Sequence, residues 1–249
     1  NIYNNCEKKN IVNSLSYINS QKKIFKLNNI KYKVLVDEKL VGIFSLMIKK
    51  ILFLKYVRIN RGPLFLNKNF DINIKLDIIN KIISLKNRYS FSLFKFSPEI
   101  DNLNHDLFIN YNQKSFLFDG DGWKSSLLDL NDDIFKIHKN LNQKWRNSLN
   151  LFSKQKVIIS EETSESSIEK ILRYYKKIQK QKNFKGININ FLKHFLSNSD
   201  KFIYFAHLES EFIGYICISV DSNCSTYLLG YASETGRKIN AMNGLIWHA

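Results

Sequence analysis

The chain has 249 residues and a formal charge of +16, from 38 Lys and Arg against 22 Asp and Glu. Its 44% hydrophobic and 14% aromatic content excludes long intrinsic disorder, and its two prolines, Pro63 and Pro98, exclude a collagen-like or proline-rich chain. At about 100–200 residues per domain, the length admits one large domain or two small ones.

Ile30, Tyr32, Val34 and Val36 alternate, which predicts a strand over Ile30–Val36. Leu40–Ile48 and Ile51–Ile59 are two more apolar runs. Lys49-Lys50 between them reads as a hairpin turn, although it lacks the Asn-Gly or Asp-Gly chemistry of two-residue loops. Arg61-Gly62-Pro63 is a loop punctuated by Gly and Pro. Ile72, Leu76, Ile79 and Ile83 lie on one helical face, so a helix is expected from about Ile72 to Asn87. Phe91–Phe96 reads as a buried strand.

Asp119-Gly120-Asp121-Gly122 is a loop, and a subdomain boundary is placed there. Trp123–Leu130 reads as a strand. Asn131 or Asp132 then caps one long helix with Ile134, Ile137, Leu141, Trp145 and Leu149 on its apolar face. Lys156–Ser160 is a short strand. Ser166 with Glu169 matches a capping box ahead of Ile168, Ile171, Leu172, Tyr175 and Ile178. A short helix is expected near Asn190–Leu196. Three strands follow, Phe202–Leu208, Phe212–Val220 and Ser225–Tyr231, the first two joined at Glu209-Ser210-Glu211. A last helix begins near Asn240. The order predicts an α+β protein of two packed units with mostly antiparallel sheets.

Cys6, Cys217 and Cys224 show neither metal spacing nor a CxxC pair, which argues against a disulfide framework and fits a reducing cytoplasm. No His pair sits at helical metal spacing with a carboxylate, so no metal is expected. The most apolar stretch, Leu40–Val57, is interrupted by Lys49-Lys50 and is no membrane span, and the first twenty residues lack a signal-peptide core. The chain begins with Asn and stops at Ala249 inside an expected helix, and is read as a fragment.

A basic chain attracts nucleic acid, phosphorylated metabolites and anionic membranes, although a lysine-rich solvated surface accounts for the charge as well. Lys136, Lys139, Gln143 and Arg146 would form a basic ridge on one long helix, suited to phosphate or nucleic acid. A solvated lysine face is the plainer account of that ridge. Arg61 beside a Gly-Pro turn is presented on a stiff backbone, suited to a phosphate or carboxylate, or is an ordinary strand-end arginine. There is no GxSxG elbow and no P-loop, and His194 and His207 read as surface or core residues.

Several strings together resemble the Fem family of peptidoglycan-bridge aminoacyltransferases, tandem relatives of the GNAT acyltransferases. They are Arg61-Gly62-Pro63, Ser126-Leu127-Leu128-Asp129-Leu130, Lys144-Trp145-Arg146-Asn147, Tyr174-Tyr175, Asn183-Phe184, Tyr227-Leu228-Leu229-Gly230 and Leu245-Ile246-Trp247. The resemblance implies two tandem GNAT-like subdomains, residues 1–121 and 122–249, with a cleft between them and the second incomplete at its C-terminus. It implies transfer of an aminoacyl group from aminoacyl-tRNA to an amine of a nucleotide- or lipid-linked muropeptide precursor. The protein would be cytoplasmic, peripheral to the inner face of an anionic membrane, and would need no cofactor. Arg61, Lys144, Arg146 and Arg237 are the expected contacts to acceptor phosphate or tRNA, and the Tyr227 hydroxyl is expected to line the cleft. No general base stands out. Gln181 stands near a place where the family often has Arg, and Phe191 where it has Tyr.

Two other readings compete. A GNAT-type N-acyltransferase would use acyl-CoA on a sugar or other amine, but Gly236-Arg237 to Asn243-Gly244 matches its pyrophosphate turn poorly. A noncatalytic RNA-binding module would rest on the charge and the Lys136–Arg146 ridge, without an RNP-like aromatic string.

Overall fold

The computed structural model describes residues 2–6, 9–66, 71–88, 93–98 and 125–249. Helix α1 (Leu15–Phe25) leads into strands β1 (Asn28–Val36), β2 (Lys39–Ile51), β3 (Leu54–Asn60) and the short β4 (Leu64–Phe65). Helix α2 (Ile72–Arg88) crosses over to β5 (Leu93–Ser97). The first sheet has the order β1-β2-β3-β5, with β4 on β2. Among the described residues of this sheet only β3–β5 is parallel, as the helical crossover requires. Ile78 and Ile82 of α2 pack on Phe44, Leu46, Val57 and Ile59, the inward-facing residues of β2 and β3.

The second unit begins with α3 (Ile134–Asn140) and α4 (Gln143–Ser153), then β6 (Val157–Glu161), α5 (Glu165–Gln181), α6 (Ile189–Ser197), β7 (Asp200–Leu208), β8 (Glu211–Asp221) and β9 (Cys224–Ala232). Helices α7 (Glu234–Lys238) and α8 (Ala241–His248) close it. Its sheet runs β6-β7-β8-β9, antiparallel throughout. One face buries Ile203, Phe205, Tyr215, Cys217 and Leu229 under α5 and α6. The other buries Ala206, Ile213 and Ile216 under Ala241 and Leu245 of α8. The architecture is thus the expected α+β arrangement of two mostly antiparallel sheets.

Helix α1 joins the second unit's core. Ser14 caps it by accepting from the Tyr17 amide, and Lys26 ends it in the left-handed region. The Tyr17 ring meets Phe191 edge-on at 4.8 Å, and Phe25 stacks on Phe191 at 5.5 Å.

The structure corrects several local expectations. The first hairpin does not turn at Lys49-Lys50: these residues stay in β2, opposite Tyr56 and Lys55, and the loop is Leu52-Phe53. Register is fixed by the Met47–Arg58 and Ile48–Val57 pairs, in which Met47 and Val57 are buried, and the ladder simply runs three pairs further. The expected long helix is two. Its periodicity survives across Leu141-Asn142, but Leu141 is extended and the Asn142 side chain caps α4 by accepting from the Trp145 amide. Residues 125–130 form no strand, and Leu127, Leu128 and Leu130 are exposed. The cap of α5 is Ser164, accepting from Ser167, so Ser166 and Glu169 make no capping box. Glu169 instead accepts a hydrogen bond from Lys193 at 2.8 Å, which holds its carboxyl below the usual range. The Asp119–Gly122 loop and the 121/122 boundary lie outside the described residues. Among the described residues, no helix is long and apolar enough to cross a membrane.

Candidate functional site

The Arg61-Gly62-Pro63 turn lies where the N-terminal segment bridges the two sheets. The Tyr3 hydroxyl donates to the Asn10 carbonyl at 2.9 Å. Asn10 and Asn13 turn their side-chain amides onto the Arg61 carbonyl, at 3.3 and 2.8 Å, and Asn13 also reaches the Asn60 carbonyl at 3.1 Å. These bonds hold Arg61 at φ 49°, a left-handed conformation that costs a non-glycine residue about 1–2 kcal/mol. Strain of this kind persists only where its surroundings over-determine it.

The same segment reaches the β8–β9 turn. Lys9 donates to the Asn223 side-chain oxygen, and the Asp221 carboxyl lies beside Tyr3, Lys9 and Ser14, with its Oδ2 buried and, among the described residues, unpartnered. Burial pushes that carboxyl above its ordinary range, against the pull of Tyr3, Lys9 and Ser14, and the negative charge of Asp200 adds to the rise. Burial, and then the Asp221 charge, likewise drive the Tyr3 phenol far upward.

A second concave region borders α8. Gly244 lets α8 approach α4 so closely that a Cβ there would overlap the Phe152 ring. The cleft between them has a volume of about 360 Å³ and is walled in part by His138, Phe152, Trp247 and His248. His138 stands edge-on to Trp247 at 5.4 Å, and His248 edge-on to Tyr204 at 5.0 Å. Trp145, on the face of α4 toward α8, lies 6.5 Å from Trp247.

Tyr227 is aimed by a β-bulge. The β8–β9 register shifts between Cys217 and Ile218, so Leu229 opposes Cys217 while Tyr227, two residues earlier, opposes Ile218. The bulge turns Tyr227 to the sheet face that carries α8, where its hydroxyl lies against Gly230. It is 52% exposed, and burial of its inner part raises the phenol above its ordinary range. Arg237 donates to the Ala232 carbonyl at 3.0 Å and braces the turn after β9. The Gly236 amide in that turn is taken by the Ser233 side chain, and Glu234 is the acidic residue of the first helical turn.

Lys144 is exposed on α4. Arg146 is otherwise engaged: it donates to the Lys139 carbonyl and the Gln143 side chain, each at 2.8 Å, and to the Leu141 carbonyl. It therefore clamps the α3–α4 joint. The ridge of Lys136, Lys139, Gln143 and Arg146 does not exist as one helical face, because the helix breaks inside it and Lys136 pairs with Asp132 at 2.6 Å. The five residues singled out do not converge. Tyr227, Arg237 and the α4 pair border the terminal helices, whereas Arg61 sits at the junction between the sheets. Among the described residues no group of three or more His, Cys, Asp or Glu is placed to hold a metal ion.

No family model and no curated protein matches the chain. Solved structures do. FemX, known from its crystal structure, is similar over 99% of this chain and 81% of its own, with a TM-score of 0.73 at 10% identity. The chain has the fold of FemX. A conserved protein of unknown function from Bacteroides thetaiotaomicron VPI-5482 is similar over 97% of this chain and 79% of its own, with a TM-score of 0.56 at 14% identity. The fold shared with FemX agrees with the resemblance carried by the Arg61 turn and the Lys144–Asn147 string. Sequence reasoning missed the junction residues Tyr3, Asn10 and Asp221, and the placing of His138 and His248 on one cleft. No local pattern marks them, because each depends on residues far apart in the chain.

Proposed function

We propose that the protein is an acyltransferase of the Fem type, moving an aminoacyl group from aminoacyl-tRNA to an amine of a peptidoglycan precursor. The observation that carries this reading is the FemX fold over nearly the whole chain, together with the Fem-like strings at Arg61 and Lys144. The chemistry suits a protein without an evident nucleophile. An aminoacyl ester is already activated: the acceptor nitrogen forms the new C–N bond, the ester C–O bond to the ribose breaks, and the ammonium proton passes to the departing oxygen. Positioning supplies much of such a rate, and donors aimed at the developing oxyanion supply more.

In this reading Arg61 and Lys144 bind phosphates of the acceptor or of tRNA, Tyr227 offers its hydroxyl to the acyl end, and Arg237 contributes charge beside the α7 turn. Arg146 acts through the α3–α4 joint. The donor carries the activated group itself, so no cofactor is invoked, and the site is cytoplasmic, where aminoacyl-tRNA is made. The charge of +16 favours a polyanionic donor. The taken Gly236 amide and the Glu234 carboxylate count against an acyl-CoA pyrophosphate at that turn.

The test is transfer of labelled amino acid from aminoacyl-tRNA to a muropeptide amine, with tRNA affinity read at two salt concentrations. Label appearing in an amide product, and tighter binding of charged than uncharged tRNA, support the reading. No transfer, with thermal stabilisation by coenzyme A, overturns the donor. Equal, steeply salt-sensitive binding of both tRNA forms without transfer overturns the enzyme reading.

A further inference from the structure

The β2–β3 hairpin ends in an apolar finger. Ile51, Leu52, Phe53 and Leu54 are consecutive and exposed, Leu52 and Phe53 at 91% and 88%. Single exposed apolar residues are common on soluble proteins, but four in a row at a hairpin tip are not. The tip also contradicts local turn chemistry. Leu52 takes φ 55° in the first loop position, where a two-residue hairpin loop favours Gly, Asn or Asp. Neither packing nor turn geometry explains the choice of Leu-Phe. Rules broken together without compensation within the fold mark functional positions.

Among the described residues, the finger projects beyond the rest of the sheet. Strand β1 stops at Asn28, opposite Ile48, and β5 starts at Leu93, opposite Tyr56. From Ile48 to Leu52 the hairpin runs on by four residues, roughly 14 Å at about 3.4 Å per residue. A collar of charge surrounds its base. Lys49 and Lys50 are exposed, Lys55 lies directly across from Lys50, and Lys26 stands exposed at the same end of the sheet, just before β1.

We propose that the Ile51–Leu54 finger docks the protein on an anionic lipid bilayer, its apolar tip entering the headgroup–acyl boundary and its lysine collar meeting the lipid phosphates. Interfacial elements bury apolar groups about 5–10 Å deep, within the reach of this finger. Lysines near an anionic leaflet each add about fivefold to the partition. Nucleic acid would satisfy the lysines but leaves Ile51, Leu52 and Leu54 without a role, since base stacking uses aromatic faces. A second copy docked tip to tip would bring two lysine collars together. The surface does not depend on the transferase reading, and its test measures no transfer.

The experiment is co-sedimentation of the protein with phosphatidylglycerol–phosphatidylcholine vesicles and with pure phosphatidylcholine vesicles at low and high salt. The wild-type chain is expected to pellet with the anionic vesicles, less at high salt, and not with the neutral ones. Leu52→Ser/Phe53→Ser should bind at least about tenfold more weakly, from the lost burial of two large side chains. Lys49→Gln/Lys50→Gln, which leaves the apolar tip intact, should lose about fivefold per lysine. Both variants should melt with the wild type, as exposed substitutions do. Failure of the wild type to bind anionic vesicles overturns the proposal, as does unchanged binding by the Ser variant. So does a tip that governs tRNA binding or self-association without vesicle binding.

Discussion

The guanidinium of Arg146 donates to the carbonyl of Lys139, 2.8 Å away and seven residues back, across the break between α3 and α4. With its bonds to Leu141 and Gln143, one side chain satisfies the end of one helix and fixes the start of the next. An arginine that sequence alone offers as a phosphate ligand thus has a structural task, while its neighbour Lys144 points into solvent.

Arg146→Ala should therefore lower stability by about 1–3 kcal/mol, the worth of charge-assisted bonds to carbonyls. For a chain of this size that is a fall in Tm of about 2–4 °C per kcal/mol. Lys144→Ala should melt with the wild type and weaken tRNA binding. Thermal melts and tRNA titrations on both variants check this. The same Tm for both would remove the clamp.

Arg61→Gly separates backbone from side chain. Glycine adopts φ 49° without strain, so this variant relieves the backbone of the turn while removing the guanidinium. If the guanidinium binds substrate phosphate, affinity should fall about tenfold or more, the loss of a charge-assisted contact. A markedly lower Tm would instead assign the side chain to the fold.

Asp221 makes stability pH-dependent in an unusual direction. Its folded carboxyl is raised above the ordinary value of about 3.9, so in that window the native state holds the proton more tightly than the unfolded chain. This contribution is present at low pH and is lost as pH rises from the ordinary carboxyl range through the raised folded value. Asp221→Asn should flatten that decline and change stability at neutral pH by no more than about 1 kcal/mol, upward. Melts from pH 3 to 7 compare the slopes, and a steeper fall in the variant would contradict the assignment.

Gly244→Ala should cost about 1–3 kcal/mol, because the new methyl overlaps the Phe152 ring and pushes α8 off α4. Trp247 moves with α8, so its fluorescence should change as well. An unchanged Tm and spectrum would mean that Phe152 swings aside freely.

The elements with clean periods were legible. Alternation gave β1, four-three spacing gave α2, and continuous apolar runs gave β7, β8 and β9. The break at Leu141-Asn142 was not, because apolar spacing continues across it and only the capping bond to Trp145 reveals the second start. The hairpin turn was missed because lysine reads as a loop residue, although Lys49 and Lys50 stay in the ladder. Helix α1 drew no expectation, since its apolar residues face a unit made much later in the chain. The Arg61 turn was visible through Gly62-Pro63, but its anchors Asn10 and Asn13 were ordinary polar residues until the fold brought them to its carbonyl.

Helix α1 has a consequence for synthesis. Its Ser20 hydroxyl meets the His194 ring at 2.9 Å, across 174 residues of sequence. At about 5–20 residues per second, a ribosome takes roughly 9–35 s to make the intervening chain. For that time the nascent helix has emerged without the α6 surface that will cover Tyr17 and Phe25. Until α6 emerges, Tyr17 and Phe25 are exposed apolar targets for any chaperone that shields the growing chain. The docking of α1 is then a late event, timed by the ribosome's arrival at α6.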